Sequence, residues 1–184
     1  MPEFVSRGGQ KLDHALATFA VDVSGLVCAD LGCSTGGFVD CLLQRGAAKV
    51  YAVDTGYGVL DYKLRKDARV VVRERANAMH VELSERVDFV SIDASWTRQD
   101  KLLPNVARLL KPDGRVVTLI KPHYEADAKL LRRGVLPAEL VDGVVEIVRG
   151  RIDGCGFEVI ATTTSPILGG HGNTEVLALL RRRG

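Results

Sequence analysis

The chain has 184 residues, 46% of them hydrophobic and 26% charged, with a formal net charge of +2. That length suits one domain, residues 1–184, with a full apolar core, and the composition argues against disorder. No run approaches the roughly 18 apolar residues of a membrane span, and no basic-then-apolar leader opens the chain, so a cytoplasmic protein without a membrane partner is expected.

In chain order, Leu12, Ala15, Leu16 and Phe19 share one face of a helix ahead of a strand over Leu26–Leu31. Phe38, Val39, Leu42 and Leu43 mark a second helix, followed by strands over Val50–Asp54, Val70–Arg73 and Phe89–Asp93. Helical patterns are expected between these earlier strands. Leu102, Leu103, Val106 and Leu109–Leu110 form a helical face before a strand over Val116–Ile120. Another such face, Leu140, Val144, Ile147, Val148 and Ile152, precedes strands over Phe157–Thr163 and Val176–Leu180. Near-continuous apolar strands between amphipathic helices predict a mainly parallel sheet covered on both faces. Only Ser165–Thr174 joins the last two strands, which suits a hairpin-like antiparallel finish. The fold class is therefore α/β: a mostly parallel seven-stranded sheet, one antiparallel strand, and helices on both faces.

The first strand runs into Asp30-Leu31-Gly32-Cys33-Ser34-Thr35-Gly36-Gly37-Phe38. Glycines at such a turn let backbone approach a ligand, and the following helix end offers free amides to an anion. A dinucleotide-binding turn would have a second glycine where Ser34 stands. With Asp30 ahead of it, the turn suits a ligand with an amino-acid end: the acid attracts an ammonium, the amides a carboxylate. Asp54, ending the second strand, stands where an acid grips ribose hydroxyls, and Asn77 is placed to meet an adenine edge. A turn residue and a helix cap are the plain structural alternatives for those two. Cys28, Cys33, Cys41 and Cys155 form no Cys-x-x-Cys pair, and His14, His80, His123 and His171 show no ligand spacing. Reduced thiols and no side-chain metal site are expected.

Ligands of open α/β sheets sit at the carboxyl ends of the strands. Asp93 closes one strand there and Lys121 closes another, straight after Val-Val-Thr-Leu-Ile. A lysine in that setting needs a partner. Glu175, opening the last strand, and Lys11, on the first helix, are both available. A lysine lowered in pKa by burial could take or steer the proton of a hydroxyl nucleophile; a structural ion-pair network is the competing explanation. Basic residues cluster at Arg7 and Lys11, at Lys63, Arg65 and Lys66, at Lys129, Arg132 and Arg133, and at Arg181–Arg183, which modestly favours an RNA partner.

Several blocks resemble, in order, the catalytic domain of the TlyA family, historically called hemolysins and part of the FtsJ-like RNA methyltransferases. They are Ser6-Arg7-Gly8-Gly9-Gln10-Lys11-Leu12, Asp30 to Phe38, Tyr51-Ala52-Val53-Asp54, Ser91-Ile92-Asp93-Ala94-Ser95, Ile120-Lys121-Pro122 and Gly172-Asn173-Thr174-Glu175. The resemblance spans nearly the whole chain. It implies a Rossmann-like class I fold, S-adenosylmethionine as cofactor, and 2′-O-methylation of a ribose in ribosomal RNA, with RNA or a ribosomal subunit as partner. It places the cofactor on Asp30, Gly32, Cys33, Ser34, Gly36, Gly37, Phe38, Asp54, Asn77 and Asp93. The family's Lys-Asp-Lys-Glu tetrad falls on Lys11, Asp93, Lys121 and Glu175, with Lys121 nearest the attacking hydroxyl.

There are departures. Family members usually carry a small RNA-binding domain ahead of Ser-Arg-Gly-Gly, whereas this chain opens five residues before it. Ala94-Ser95-Trp96-Thr97-Arg98 is more polar than the family's run, and Pro122-His123-Tyr124-Glu125 replaces Pro-Gln-Phe-Glu. The expectation is RNA bound through the chain's own basic surface or a recruited partner. Methylation of a small hydroxylated metabolite and a non-catalytic cofactor- or RNA-binding module are the alternatives. The segment Tyr124–Gly134, with Lys129, Arg132 and Arg133, is a plausible cover over substrate. Membrane lysis finds no support in the pattern.

Overall fold

A computed structural model describes residues 3–95 and 97–184. Trp96, in the polar stretch after Asp93, lies outside the described residues. The elements run α1 (Gly8–Thr18), β1 (Val27–Leu31), α2 (Gly37–Gln44), β2 (Lys49–Val53), α3 (Tyr62–Arg65), β3 (Val70–Arg73) and β4 (Val87–Ile92), followed by α4 (Gln99–Leu109), β5 (Leu110–Ile120), α5 (Pro122–Glu125), α6 (Ala138–Gly154), β6 (Phe157–Thr164) and β7 (Val176–Arg182). The seven strands make one sheet in the order β3-β2-β1-β4-β5-β7-β6. β1 to β5 pair in parallel, and β7 runs against both β5 and β6.

The single reversed strand is as expected, and it lies inside the sheet. β7 slots between β5 and β6, where its apolar run Val176–Leu180 is covered on both sides, while β6 (Phe-Glu-Val-Ile-Ala-Thr-Thr-Thr) alternates toward solvent. A strand buried from every side needs the more continuous hydrophobic sequence. Alternation along the central strands then splits the core in two. Ala29, Leu31, Val90, Ile92 and Val116 face α4 and α6, whereas Cys28, Phe89, Val117, Leu177 and Leu179 face α1 and α2.

Three local expectations are corrected. β3 reaches β4 through turns with no helix between them, and between β2 and β3 there is only the four-residue α3. Asp67, Asn77 and Ser84 punctuate these stretches, and Asp67 and Asn77 each accept a backbone N–H two residues on, which competes with helix. Ile147 lies on the outer side of α6 and is exposed, since Val141, Val144, Val148 and Ile152 already fill the buried stripe. Leu110 belongs to β5, not to the preceding helix.

All four cysteines are free. Burial pushes the Cys28 and Cys41 thiols up to about 12, which leaves them protonated and inert. Among the described residues no cluster of three or more metal-binding side chains occurs, and no helix is long and apolar enough to cross a membrane.

Phe157 opens β6 with its ring fully buried against the α4–α6 core. Phe157→Ala is expected to lower the free energy of unfolding by about 3–5 kcal/mol, as cavities at sealed aromatic positions do. A urea titration reads it; a loss under about 1 kcal/mol would mean that this end of the sheet repacks freely.

Candidate active site

The polar residues read at strand ends lie along one edge of the sheet. The carboxyl ends of β1, β2, β4 and β5 carry Asp30, Asp54, Asp93 and Lys121, and the antiparallel β7 brings its amino end, with Glu175, to that same edge. Two cavities, about 330 Å³ and 300 Å³, open there. Both are walled by Gly32, Ser34, Asp93 and Ser95, so they form one cleft with two ends.

The turn after β1 is held by two amides, Gly32 and Cys33, both donating to the Val53 carbonyl at 2.9 and 3.0 Å. Gly32 has φ +89°, and a Cβ there would meet the Asp93 carbonyl oxygen at 2.6 Å. Only glycine lets the turn lie against the end of β4. Gly37, opening α2, is as constrained: its Cβ would sit 2.7 Å from the Gly9 nitrogen in α1. Two helix N-termini, neither with a side-chain cap, thus converge on the larger cavity. Their unpaired amides and dipoles favour a carboxylate.

Asp30 sits opposite Ser91 in the β1–β4 register and accepts a 2.7 Å bond from its hydroxyl. Its other oxygen is buried without a partner although Asp30 lines the cavity. Burial, reinforced by the charges of Asp93 and Asp54 and eased by the Ser91 hydrogen bond, raises this carboxyl to about 8. An ammonium would satisfy that orphan oxygen. Asp54 lies one residue past β2 and accepts from Ser34 N–H at 2.8 Å and Gly56 N–H at 2.7 Å, which turns the carboxylate toward the smaller cavity. Asn77 shares that cavity wall while its side-chain oxygen accepts from Met79 N–H at 2.9 Å. Asn77 is a turn residue that borders the cleft; with no helix between β3 and β4, it caps none. Cys33 and Phe38 line the larger end, with the Cys33 thiol raised by burial.

The four charged residues resolve into two pairs. Lys11 Nζ donates to Glu175 Oε2 at 2.5 Å, and Lys121 Nζ lies 2.6 Å from Asp93 Oδ1. The partner of Lys121 is thus Asp93, while Glu175, which the sequence offered equally, is taken by Lys11. Lys121 is out of line for a hydrogen bond to that oxygen and directs one to Ser95 Oγ at 3.3 Å. Glu175 is 3% exposed, closed over by Gly169, where a Cβ would collide with its carboxylate.

Sequence reasoning missed several parts of the cleft. Ser91, which holds Asp30, could have been found as the one polar residue in the apolar run Phe89–Ile92. Ile167 to Gly170 line the larger cavity, and nothing in Pro-Ile-Leu-Gly-Gly signals that. Arg7, counted only among surface cations, lines it too. The buried Asn173 ties the loop before β7 to the segment after α5, donating to Gly134 and Gly170 carbonyls and accepting from Leu136 N–H.

Two uncapped helix ends, an orphaned buried acid and a fold of this topology belong to a Rossmann-like methyltransferase domain that takes S-adenosylmethionine. The family model described as FtsJ-like methyltransferase matches residues 4–182, and the chain belongs to that family. Among curated relatives it is 40% identical over 97% of its length to the 16S/23S rRNA (cytidine-2′-O)-methyltransferase TlyA of Mycobacterium tuberculosis, covering 68% of that protein. It is 38% identical over 96% of its length to hemolysin A of Brachyspira hyodysenteriae, covering 76% of it. A solved structure described as a hemolysin, from Streptococcus thermophilus, superposes on 100% of this chain and 68% of its own with a TM-score of 0.96 at 40% identity.

Asp30 provides a test free of activity. An unfolded carboxyl loses its proton near pH 4, whereas the folded one keeps it to about 8. Between those values the folded state binds the extra proton, so wild-type stability falls as pH rises. Asp30→Asn removes that dependence. Its stability relative to wild type should climb from pH 5 to pH 8 in urea titrations without cofactor, and an unchanging difference would refute the buried protonated acid.

Proposed function

We propose that the protein methylates the 2′-hydroxyl of a ribose in ribosomal RNA, with Lys11, Asp93, Lys121 and Glu175 as its catalytic residues. The observation that carries this reading is the pair Lys121–Asp93 in the same cavity wall as the Asp30 turn, so that the acceptor's anchor and the donor's anchor face one space. The names of the relatives, which specify rRNA and a 2′-oxygen, support it and disfavour a small-metabolite acceptor. A ribosomal partner and a cytoplasmic setting follow from the same reading. We take residues 1–184 as one catalytic unit.

The residues fit S-adenosylmethionine. Asp30 would hold the ammonium, the amides at Gly36 to Phe38 the carboxylate, Asp54 the ribose, and Asn77 the adenine. Bound there, the cofactor supplies a methyl group on a sulfonium, a strong electrophile with a neutral leaving group. Lys121 would hold and orient the attacking hydroxyl and, once its own ammonium proton has passed to solvent, would take up the hydroxyl proton as a neutral amine. Asp93 and Ser95 fix Lys121 in place, and Lys11 with Glu175 keeps the rest of the wall electrically balanced.

Lys121→Ala is expected to abolish transfer of a radiolabelled methyl group to ribosomal RNA while S-adenosylmethionine affinity stays within a few-fold. Full activity in that variant would sink the assignment. Asp54→Ala should behave oppositely, weakening the cofactor by about tenfold or more in calorimetry, in line with loss of a charged hydrogen-bonding partner. Equal affinity would remove Asp54 from the site.

A further inference from the structure

Beyond the cleft, the loop after β2 and the short α3 carry a surface that the reaction does not use. Tyr57 and Tyr62 are 71% and 67% exposed, the two most exposed large hydrophobic side chains of the described residues. Neither belongs to the core: Leu60 and Leu64, between and after them, are the residues that anchor this segment. Each ring carries a cation on its face, the Arg75 guanidinium 4.4 Å from the Tyr57 centroid and the Lys66 ammonium 4.5 Å from that of Tyr62.

The charge around the rings is one-sided. Glu74 is paired with Arg65, Asp67 with Arg69, and Asp61 accepts from the Lys63 amide to cap α3. Lys66, Arg73 and Arg75 are exposed and form no ion pair among the described residues, and Lys63 reaches only a 3.8 Å contact with Asp40. Exposed aromatic faces interleaved with uncompensated cations suit unpaired nucleotides, whose bases stack and whose phosphates need neutralising. A protein partner would instead favour an apolar patch with paired charges at its rim.

The patch adjoins the cofactor cleft. Gly56, one residue before Tyr57, donates to Asp54, and Arg75 is two residues from Asn77. We infer that Tyr57 and Tyr62, with Lys63, Lys66, Arg73 and Arg75, form a stacking platform for single-stranded or looped RNA. It would hold nucleotides flanking the one in the cleft. This rests on the RNA reading above, and deepens it by giving the substrate a second contact on this chain.

The test is fluorescence anisotropy with a labelled mixed-sequence oligoribonucleotide of about a dozen nucleotides, within the site sizes that stacking grooves cover. Tyr57→Ala with Tyr62→Ala should weaken binding at least tenfold, while Tyr57→Phe with Tyr62→Phe stays within twofold, because stacking needs the ring and not the hydroxyl. The alanine pair should leave the salt dependence of binding unchanged. Lys66→Gln with Arg75→Gln should make it shallower by about two released counterions. Calorimetry with S-adenosylmethionine should give wild-type affinity for the tyrosine variants. Wild-type protein that binds no RNA overturns the RNA reading and the platform together. Binding that survives in the alanine pair overturns the platform alone, as does a phenylalanine pair that binds as poorly as the alanine one. A parallel loss of cofactor affinity overturns it too, by showing that the loop had merely been deformed.

Discussion

The backbone contact between Gly32 and Asp93 is what the cleft depends on. With a Cβ at Gly32, 2.6 Å from the Asp93 carbonyl, the turn after β1 would stand off from the end of β4. The two cavities would no longer share a wall, and Asp30, bonded across the same strand pair to Ser91, would lose its register. That contact in turn requires β1 and β4 to be neighbours in parallel, which the sheet order supplies. A glycine at one position thus joins the residues facing a bound donor to those facing an acceptor.

Much of this was legible because the sheet makes chemistry and topology coincide. Acids and a lysine written directly after apolar runs must surface at strand ends, and a parallel sheet collects those ends on one edge. So Asp30, Asp54, Asp93 and Lys121 were placed by hydrophobic periodicity alone. Glu175 was placed by the reversal of β7, which the short helix-free connection implied. What the periodicity could not say was which lysine pairs with which acid. That depends on sheet order, and β7 lying between β5 and β6 has no local signature. Nor does Ile147 betray its exposure, since one apolar residue beyond a filled stripe looks like part of it. The loop from Ile167 to Gly170 was invisible for a different reason. Its place in the cleft is set by Asn173, two of whose three hydrogen bonds reach across 37 and 39 residues of chain.

Several buried polar groups share one logic. Thr118 with Gln99, Asn173 with its loops, and Glu125 with Arg151 and the Gln99 amide are all satisfied internally, and they fasten helices and loops to the sheet. Asp30 is different: it keeps an unsatisfied oxygen in the cavity wall and takes up a proton to tolerate burial. Leaving a group unsatisfied costs stability. An unpaired acid at a ligand site is where such a cost is recovered on binding.

The two lysine–carboxylate pairs are unequal in the same sense. Lys11 donates in line to a carboxylate that is almost wholly sealed by Gly169, so nothing else can claim that acid. Lys121 is close to Asp93 but misaligned with it, and its one side-chain hydrogen bond among the described residues is the long one to Ser95. A hydrogen bond weakens steeply as it bends or lengthens, so Lys121 is held less firmly by Asp93 than Lys11 is by Glu175. Both pairs cost desolvation, and the closed one returns it as structure. The open one returns it only when a further oxygen arrives in the cleft. The distribution of satisfied and unsatisfied bonds therefore distinguishes the closed lysine pair from the open one without appeal to charge alone.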